Sequence, residues 1–315
     1  MIVTSVLDTA VRLSLAKAVS AGSTGSHLPV RFLTMDSFKG KTAVVTGGAS
    51  GMGRAMARRF ARAGMNVAIG DLNDEGTAAV VSELEGLGVK AIGMHTDVSD
   101  EDANMALNAA ACDAFGQVNI VCLNAGVTGS AGRSWTLTKH DWDWTLGILL
   151  DGVVHGVRAF VPGIVEHGDG HVVMTASIAG HVSSAFSGPY MVAKHGVVAL
   201  AETLYHELQA EKSDVGVTCL CPGYVNTDIV AASRRRPAGE VGSVQDELGG
   251  KWLDFADRAL AGGIDPEIVG EQVYDAIVDN QFWLFTDGAW DEAIEKKNKE
   301  ILARQSPTLG HPSAE

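Results

Sequence analysis

A junction near the start of the chain constrains its fold more than any other feature. Thr42 to Thr46 (TAVVT) has the residues of a short buried strand. It runs directly into Gly47-Gly48-Ala49-Ser50-Gly51-Met52-Gly53, and a helical stretch then continues to about Ala63, closed by Gly64. Without side chains, the glycines let the backbone turn sharply and approach another group closely. A helix that begins inside such a turn offers free N–H groups and the positive end of its dipole, the chemistry that holds a pyrophosphate. The spacing of Gly47, Gly51 and Gly53 departs from the common G-x-G-x-x-G pattern, so the flanking strand and helix carry the argument.

The same rhythm continues. Further strands are expected at Asn66–Gly70, Lys90–Met94, Val118–Cys122, His171–Ala176, Val215–Leu220 and Phe282–Phe285. Helices are expected at Asp74–Leu87, Asp100–Phe115 (capped by Ser99 or Asp100), Lys139–Val165, Pro189–Ala210 and Pro266–Val278. Strands alternating with helices give a parallel sheet covered on both faces, and right-handed crossovers make it doubly wound, a Rossmann-like α/β domain. Its ligand crevice lies beyond the carboxyl ends of the strands. Residues 226–265 break the rhythm and read as an insertion or lid within a single domain spanning 36–290. Residues 291–315 read as a terminal helix and tail. Residues 1–35 read as a flexible extension, either a targeting leader or an upstream segment with Met35 opening the domain.

Composition narrows the function. The 315 residues carry a formal net charge of -14, which repels phosphate backbones and argues against a nucleic-acid partner. No apolar stretch reads as long enough to span a bilayer. The four cysteines form no disulfide framework in a chain of this length, and an intracellular, cytoplasmic setting fits them. Cys219 and Cys221 fall on one face of a strand as small buried residues. No set of residues has the spacing of a metal site.

Several residues at strand ends point to a dinucleotide. Asp71 ends the second strand, where a carboxylate can accept hydrogen bonds from the adenosine ribose and repel a 2′-phosphate. That favours NAD over NADP; Asp74 and Glu75 add to the repulsion, whereas Arg54 would weaken it by turning toward the ribose. Asp97-Val98 follows the third strand, and Asn124-Ala125-Gly126 follows the fourth.

A second group carries reaction chemistry. Tyr190 and Lys194 are four residues apart on an expected helix and share a face. A phenol, normally titrating near about 10, is drawn toward proton exchange at neutral pH by a nearby ammonium. Ser177, thirteen residues before Tyr190 and just past a strand, can hold a substrate oxygen.

Together these motifs resemble the short-chain dehydrogenase/reductase family of the single-domain type, over roughly residues 38 to 290. The resemblance rests on TGGASGMG at 46–53, Asp71, Asp97-Val98, Asn124-Ala125-Gly126, Ser177, Tyr190 with Lys194, and Pro222-Gly223 with Thr227. It implies an NAD(P)-dependent oxidoreductase that moves hydride between a secondary alcohol and a nicotinamide ring. Tyr190 would be the acid/base, Lys194 would lower its pKa and hold the nicotinamide ribose, and Ser177 would position the reacting oxygen. Gly47, Ser50, Gly51, Met52 and Gly53 would cradle the dinucleotide and Asp71 would hold the adenosine ribose. Asp97 and Val98 would flank the adenine, and Asn124, Ala125 and Gly126 would line the channel. Pro222, Gly223, Val225 and Thr227 would meet the nicotinamide end, Thr227 at the carboxamide or the pyrophosphate. The resemblance also implies a homotetramer or homodimer.

Two positions depart from the family pattern. Leu123 replaces the first asparagine of Asn-Asn-Ala-Gly, where it should end a buried strand. Leu149 replaces an asparagine that anchors a water in the family's proton relay. Its backbone carbonyl could preserve the relay; otherwise the chain would be a catalytically weak NAD-binding sensor or scaffold on the same fold. Asp151 and His155 lie nearby. The substrate wall is expected from Ile178, Ala179, His181, Val182, Phe186 and Tyr224, under cover of 228–265, and suits a bulky or cyclic alcohol. Trp135, Trp142 and Trp144 are expected beside the long helix, and His195 in a structural role.

Overall fold

The computed structural model describes residues 38–232 and 247–308. The extension expected over 1–35, the middle of the lid and the end of the tail lie outside the described residues.

Seven strands form one parallel sheet: β1 (Thr42–Thr46), β2 (Asn66–Asp71), β3 (Ala91–His95), β4 (Ile120–Leu123), β5 (His171–Thr175), β6 (Gly216–Cys221) and β7 (Trp283–Phe285). Their order is β3-β2-β1-β4-β5-β6-β7. The order reverses between β1 and β4, and the crevice of a doubly wound sheet opens at such a reversal. Register is simple there: Val44 lies between Ala68 on β2 and Val121 on β4.

Strand alternation divides the core in two. Ala43, Val45 and Leu220 face one cluster, which α1 (Gly51–Arg62), α2 (Asp74–Gly86) and α9 (Pro266–Val278) cover. Val44, Val217, Cys219 and Cys221 face the other, beneath α3 (Glu101–Phe115), α5 (Gly152–His167) and α6 (Gly188–Ala210). Cys219 and Cys221 do share a face, with their sulfurs 3.7 Å apart. Each large aliphatic side chain buried this way contributes roughly 1.5–3 kcal/mol.

Local signals set the helix ends. Asn73 caps α2 by accepting from the Gly76 amide. Asp100, rather than Ser99, caps α3 by accepting from the Asp102 amide. Gly64 takes φ +80 just beyond α1.

The stretch expected as one helix over Lys139–Val165 is three pieces: α4 (Lys139–Leu146), a π-helical turn (Gly147–Asp151) and α5. The Gly152 amide donates to the Gly147 carbonyl, the wider bond of a π turn. By length and composition alone, Lys139–His167 could cross a membrane, contrary to the expectation that no stretch is long enough. Here its buried side is packed. Gly152 lies against Val98, and Gly156 makes room for the Leu123 side chain. Leu123 is therefore the buried end of β4, as expected.

Over the site lie a short helix, α7 (Ile229–Ala232), and a longer one, α8 (Glu247–Ala261). The last helix is α10 (Asp291–Ala303). Of the three tryptophans expected beside the long helix, Trp135 is 82% exposed. Trp142 is half-buried next to Gly188, and Trp144 lines the crevice.

Candidate active site

The glycine turn is built by close approach. Gly47 (φ +66) and Gly51 (φ +51) take left-handed conformations. A side chain on Gly53 would collide with the Gly47 carbonyl, and one on Gly47 would come within 2.8 Å of Ala125 Cα. The turn thus rests directly on the segment after β4. Thr46 ties the two together: its hydroxyl accepts from the amides of Asn124 (2.9 Å) and Ala125 (3.1 Å). Asn124 returns its side-chain amide to the Thr46 carbonyl at 3.0 Å.

Asp71 is oriented by backbone amides. One carboxylate oxygen accepts from the Ala49 amide at 3.0 Å and the other from Asn73 at 2.9 Å. Arg54 turns away toward α2, where it pairs with Glu83 at 2.9 Å. Asp97 is held by the amide and hydroxyl of Ser99. The Val98 carbonyl accepts from buried Asn104. The Thr227 side chain lies over Gly51, at the glycine turn.

Ser177 caps a short 3-10 turn (Ile178–Gly180), accepting from the Ala179 amide at 3.1 Å. Its hydroxyl reaches the Pro222 carbonyl at 3.4 Å. Lys194 is 4% exposed, donates to the Thr175 carbonyl at 2.8 Å, and lies 5.7 Å from the centre of the Tyr190 ring. Burial pushes the ammonium down to about 8. Burial also pushes the Tyr190 phenol up, and a hydrogen bond with Ser177 opposes that rise. The sequence reading has the ammonium lowering the phenol; in the folded chain burial is the larger influence, and the one that opposes it is Ser177.

Leu149 is fully buried. It sits in the π turn and packs with Val127, Ala193 and Tyr190, its side chain 3.2 Å from where a methyl on Gly126 would be. His155 turns to the Val98 carbonyl at 3.1 Å, and Asp151 is exposed. Neither stands in for the missing amide.

One cavity of about 850 Å³ gathers these groups. Gly47, Ser50, Gly51, Met52 and Gly53 line it, with Asp71, Asp97 and Val98 toward one end. Asn124, Ala125 and Gly126 follow, then Ser177, Tyr190 and Lys194. Pro222, Gly223, Val225 and Thr227 complete the set drawn from the sequence. The cradle fits a dinucleotide: its backbone approach leaves no room for side chains, and an oriented carboxylate stands one strand away.

Two expected wall residues do not line the cavity. Phe186 is one. The other, His181, packs between Trp283 and Phe285 behind the site, with Nε2 3.3 Å from the Cys221 sulfur. Sequence reasoning missed Trp144 and Trp290, and included Trp252, Phe255 and Leu260 only within the cover expected from 228–265; all five line the cavity. A signal for that helix existed: Trp252, Phe255, Ala256 and Leu260 recur at helical spacing within the expected lid.

Comparison with known proteins shows the family and the fold. The short chain dehydrogenase family model matches residues 41–238. A C alpha-dehydrogenase from a Sphingobium species is 32% identical, over 88% of this chain and 90% of that protein. A short chain dehydrogenase/reductase from Burkholderia phymatum, solved in complex with NAD, superposes with a TM-score of 0.83. It is 36% identical, covering 86% of this chain and 97% of its own. A levodione reductase structure, 24% identical with a TM-score of 0.69, shares the fold.

Proposed function

This chain belongs to the short chain dehydrogenase family, and from that premise we propose that it interconverts a secondary alcohol and its ketone with NAD, not NADP, as cofactor. NAD(P)-linked oxidoreduction is the function of the family match; the choice of NAD and the residue roles are the proposal. The observation that carries it is the meeting of Ser177, Tyr190 and Lys194 in the same cavity as the glycine turn and Asp71.

When bound, the nicotinamide supplies the hydride acceptor or donor. The protein's part is to bind, orient and move one proton. Gly47, Ser50, Gly51, Met52 and Gly53 hold the pyrophosphate against the start of α1, with Thr227 closing over the turn. Asp71 holds the adenosine ribose and rejects a 2′-phosphate, and Arg54, engaged by Glu83, offers that phosphate no counter-charge. Asp97 and Val98 flank the adenine. Asn124, Ala125 and Gly126 line the channel, while Pro222, Gly223 and Val225 meet the nicotinamide end. Ser177 hydrogen-bonds the reacting oxygen. Tyr190 accepts the hydroxyl proton during oxidation and returns it during reduction. Lys194 holds the nicotinamide ribose and supplies positive charge below the phenol. The NAD complex of the Burkholderia relative supports the cofactor choice.

The four free thiols suit a reducing, cytoplasmic compartment. The apolar side of Lys139–His167 and the exposed Val192 on α6 suit a homotetramer or homodimer packed through those helices. The test is turnover. Purified protein with NAD or NADP and a panel of secondary alcohols is followed by the absorbance of reduced nicotinamide, with Tyr190→Phe as control. NAD-dependent turnover lost in that variant supports the reading, and a preference for NADP overturns the cofactor assignment.

A further inference from the structure

The lid helix α8 presents one apolar stripe. Trp252, Phe255, Ala256 and Leu260, at spacings of three, four and eight from Trp252, fall on a single helical face, and all four line the cavity. Close backbone contacts hold the stripe in place. At its start, a side chain on Gly249 would collide with the Ala131 carbonyl. Beyond its end, a methyl on Gly263 would lie 2.5 Å from the Tyr224 carbonyl. Ile264 donates to that carbonyl at 3.0 Å, and Asn226 donates to Ile264 at 2.9 Å.

The Tyr224 ring stands between lid and core. Its centroid is 6.4 Å from Phe255 at 77° and 5.7 Å from Trp290 at 60°. Trp290 in turn packs with Ile178 and Val182, immediately beyond Ser177. Burial pushes the Tyr224 phenol up to about 12, so it stays protonated. The aromatic wall therefore begins at the turn after Ser177 and runs outward to the lid.

We propose that Tyr224, Phe255 and Trp290 form an aryl-binding wall, and that the substrate is a secondary alcohol, or ketone, bearing an aromatic ring beside the reacting carbon. The proposal rests on the dehydrogenase reading of the same cavity. Ring edges and faces offered at tilted and near-perpendicular angles favour another aromatic ring over an aliphatic body of equal size.

Acetophenone and cyclohexyl methyl ketone make the comparison, since they differ in little but aromaticity. Each is titrated calorimetrically into the wild-type protein saturated with NAD, where no turnover occurs. Acetophenone should bind roughly tenfold more tightly, the range expected from one or two aromatic pairs. Phe255→Leu and Tyr224→Leu should each erase most of that preference while NAD affinity stays unchanged, which shows that the variants are folded. Tyr224→Phe, which keeps the ring, should retain the preference. Equal affinity for the two ketones, or no binding of either, overturns the aryl wall. The dehydrogenase reading then stands or falls separately on whether 1-cyclohexylethanol and other secondary alcohols are oxidised with NAD. Failure of NAD itself to bind would overturn both.

Discussion

The Asp71 carboxylate accepts the backbone amide of Ala49 at 3.0 Å, joining the end of β2 to the glycine turn. The contact lets Asp71 shape the turn, in addition to the ribose-binding role proposed for it. Asp71→Ala should therefore weaken NAD binding by roughly ten- to a hundredfold, the range for hydrogen bonds to a charged group. The same change should narrow the preference over NADP. Adding Glu83→Ala, which releases Arg54, should narrow it further. Dissociation constants for both cofactors decide the matter, and unchanged NADP binding in the double variant would show that Asp71 is not the discriminating charge.

Tyr190→Phe should cut kcat by roughly a hundredfold to ten-thousandfold, the usual contribution of a positioned acid/base group. NAD affinity should change little, since the ring remains. Ser177→Ala should cost roughly a hundredfold or more in kcat, as for a donor to a developing oxyanion. It should also move the pH profile of kcat upward, because the hydrogen bond that opposes the burial of the Tyr190 phenol is lost. A profile unmoved by Ser177→Ala would argue against that coupling.

Leu149→Asn places an amide in an apolar cluster with Val127 and Ala193. It should lower stability by about 1–3 kcal/mol, the cost of an unsatisfied buried polar group, or roughly 2–4 °C of melting temperature per kcal/mol. We expect no gain in kcat, because the side chain at 149 lies among Val127, Ala193 and Tyr190 and does not line the cavity. A rise in kcat would point instead to a chain specialised for binding NAD.

His181 and His171 should make the fold sensitive to acid. Burial, then the charges of His195 and Lys297, push His181 down to about 4, and burial pushes His171 down to about 3. The unfolded chain, with histidines near about 6.5, binds more protons than the folded one below that pH. The stability these groups contribute is thus complete above about 6.5 and is lost as pH falls toward 4 and 3. Each group adds a slope of at most about 1.4 kcal/mol per pH unit. Melting temperatures measured from pH 7.5 to 4.5 should fall, and His181→Phe should flatten part of that slope. An equal slope in the variant would place the sensitivity elsewhere.

Much of the site was legible before the fold was known, because its parts are punctuation. Gly47, Asp71, Asn124, Ser177 and Pro222 all stand at or just beyond strand ends. In a parallel sheet those ends must share one edge, so linear order implies spatial convergence. Side-chain direction was less legible. His181 is only four residues from Ser177, yet the 3-10 turn sends it behind the site to Trp283, Phe285 and Cys221. Trp144 carried no signal separating it from Trp135; the first meets the cavity and the second meets solvent.

The sequence by itself determined the alternation of strands and helices, the glycine turn and the Tyr190–Lys194 pair, because each depends on local periodicity and backbone freedom. Only the tertiary structure decided that burial raises the Tyr190 phenol, that Glu83 pairs with Arg54, and that α8 in the lid faces Tyr224 with Phe255. Desolvation, ion pairing and ring packing join residues distant in the chain, and they exist only once folding has brought those residues together.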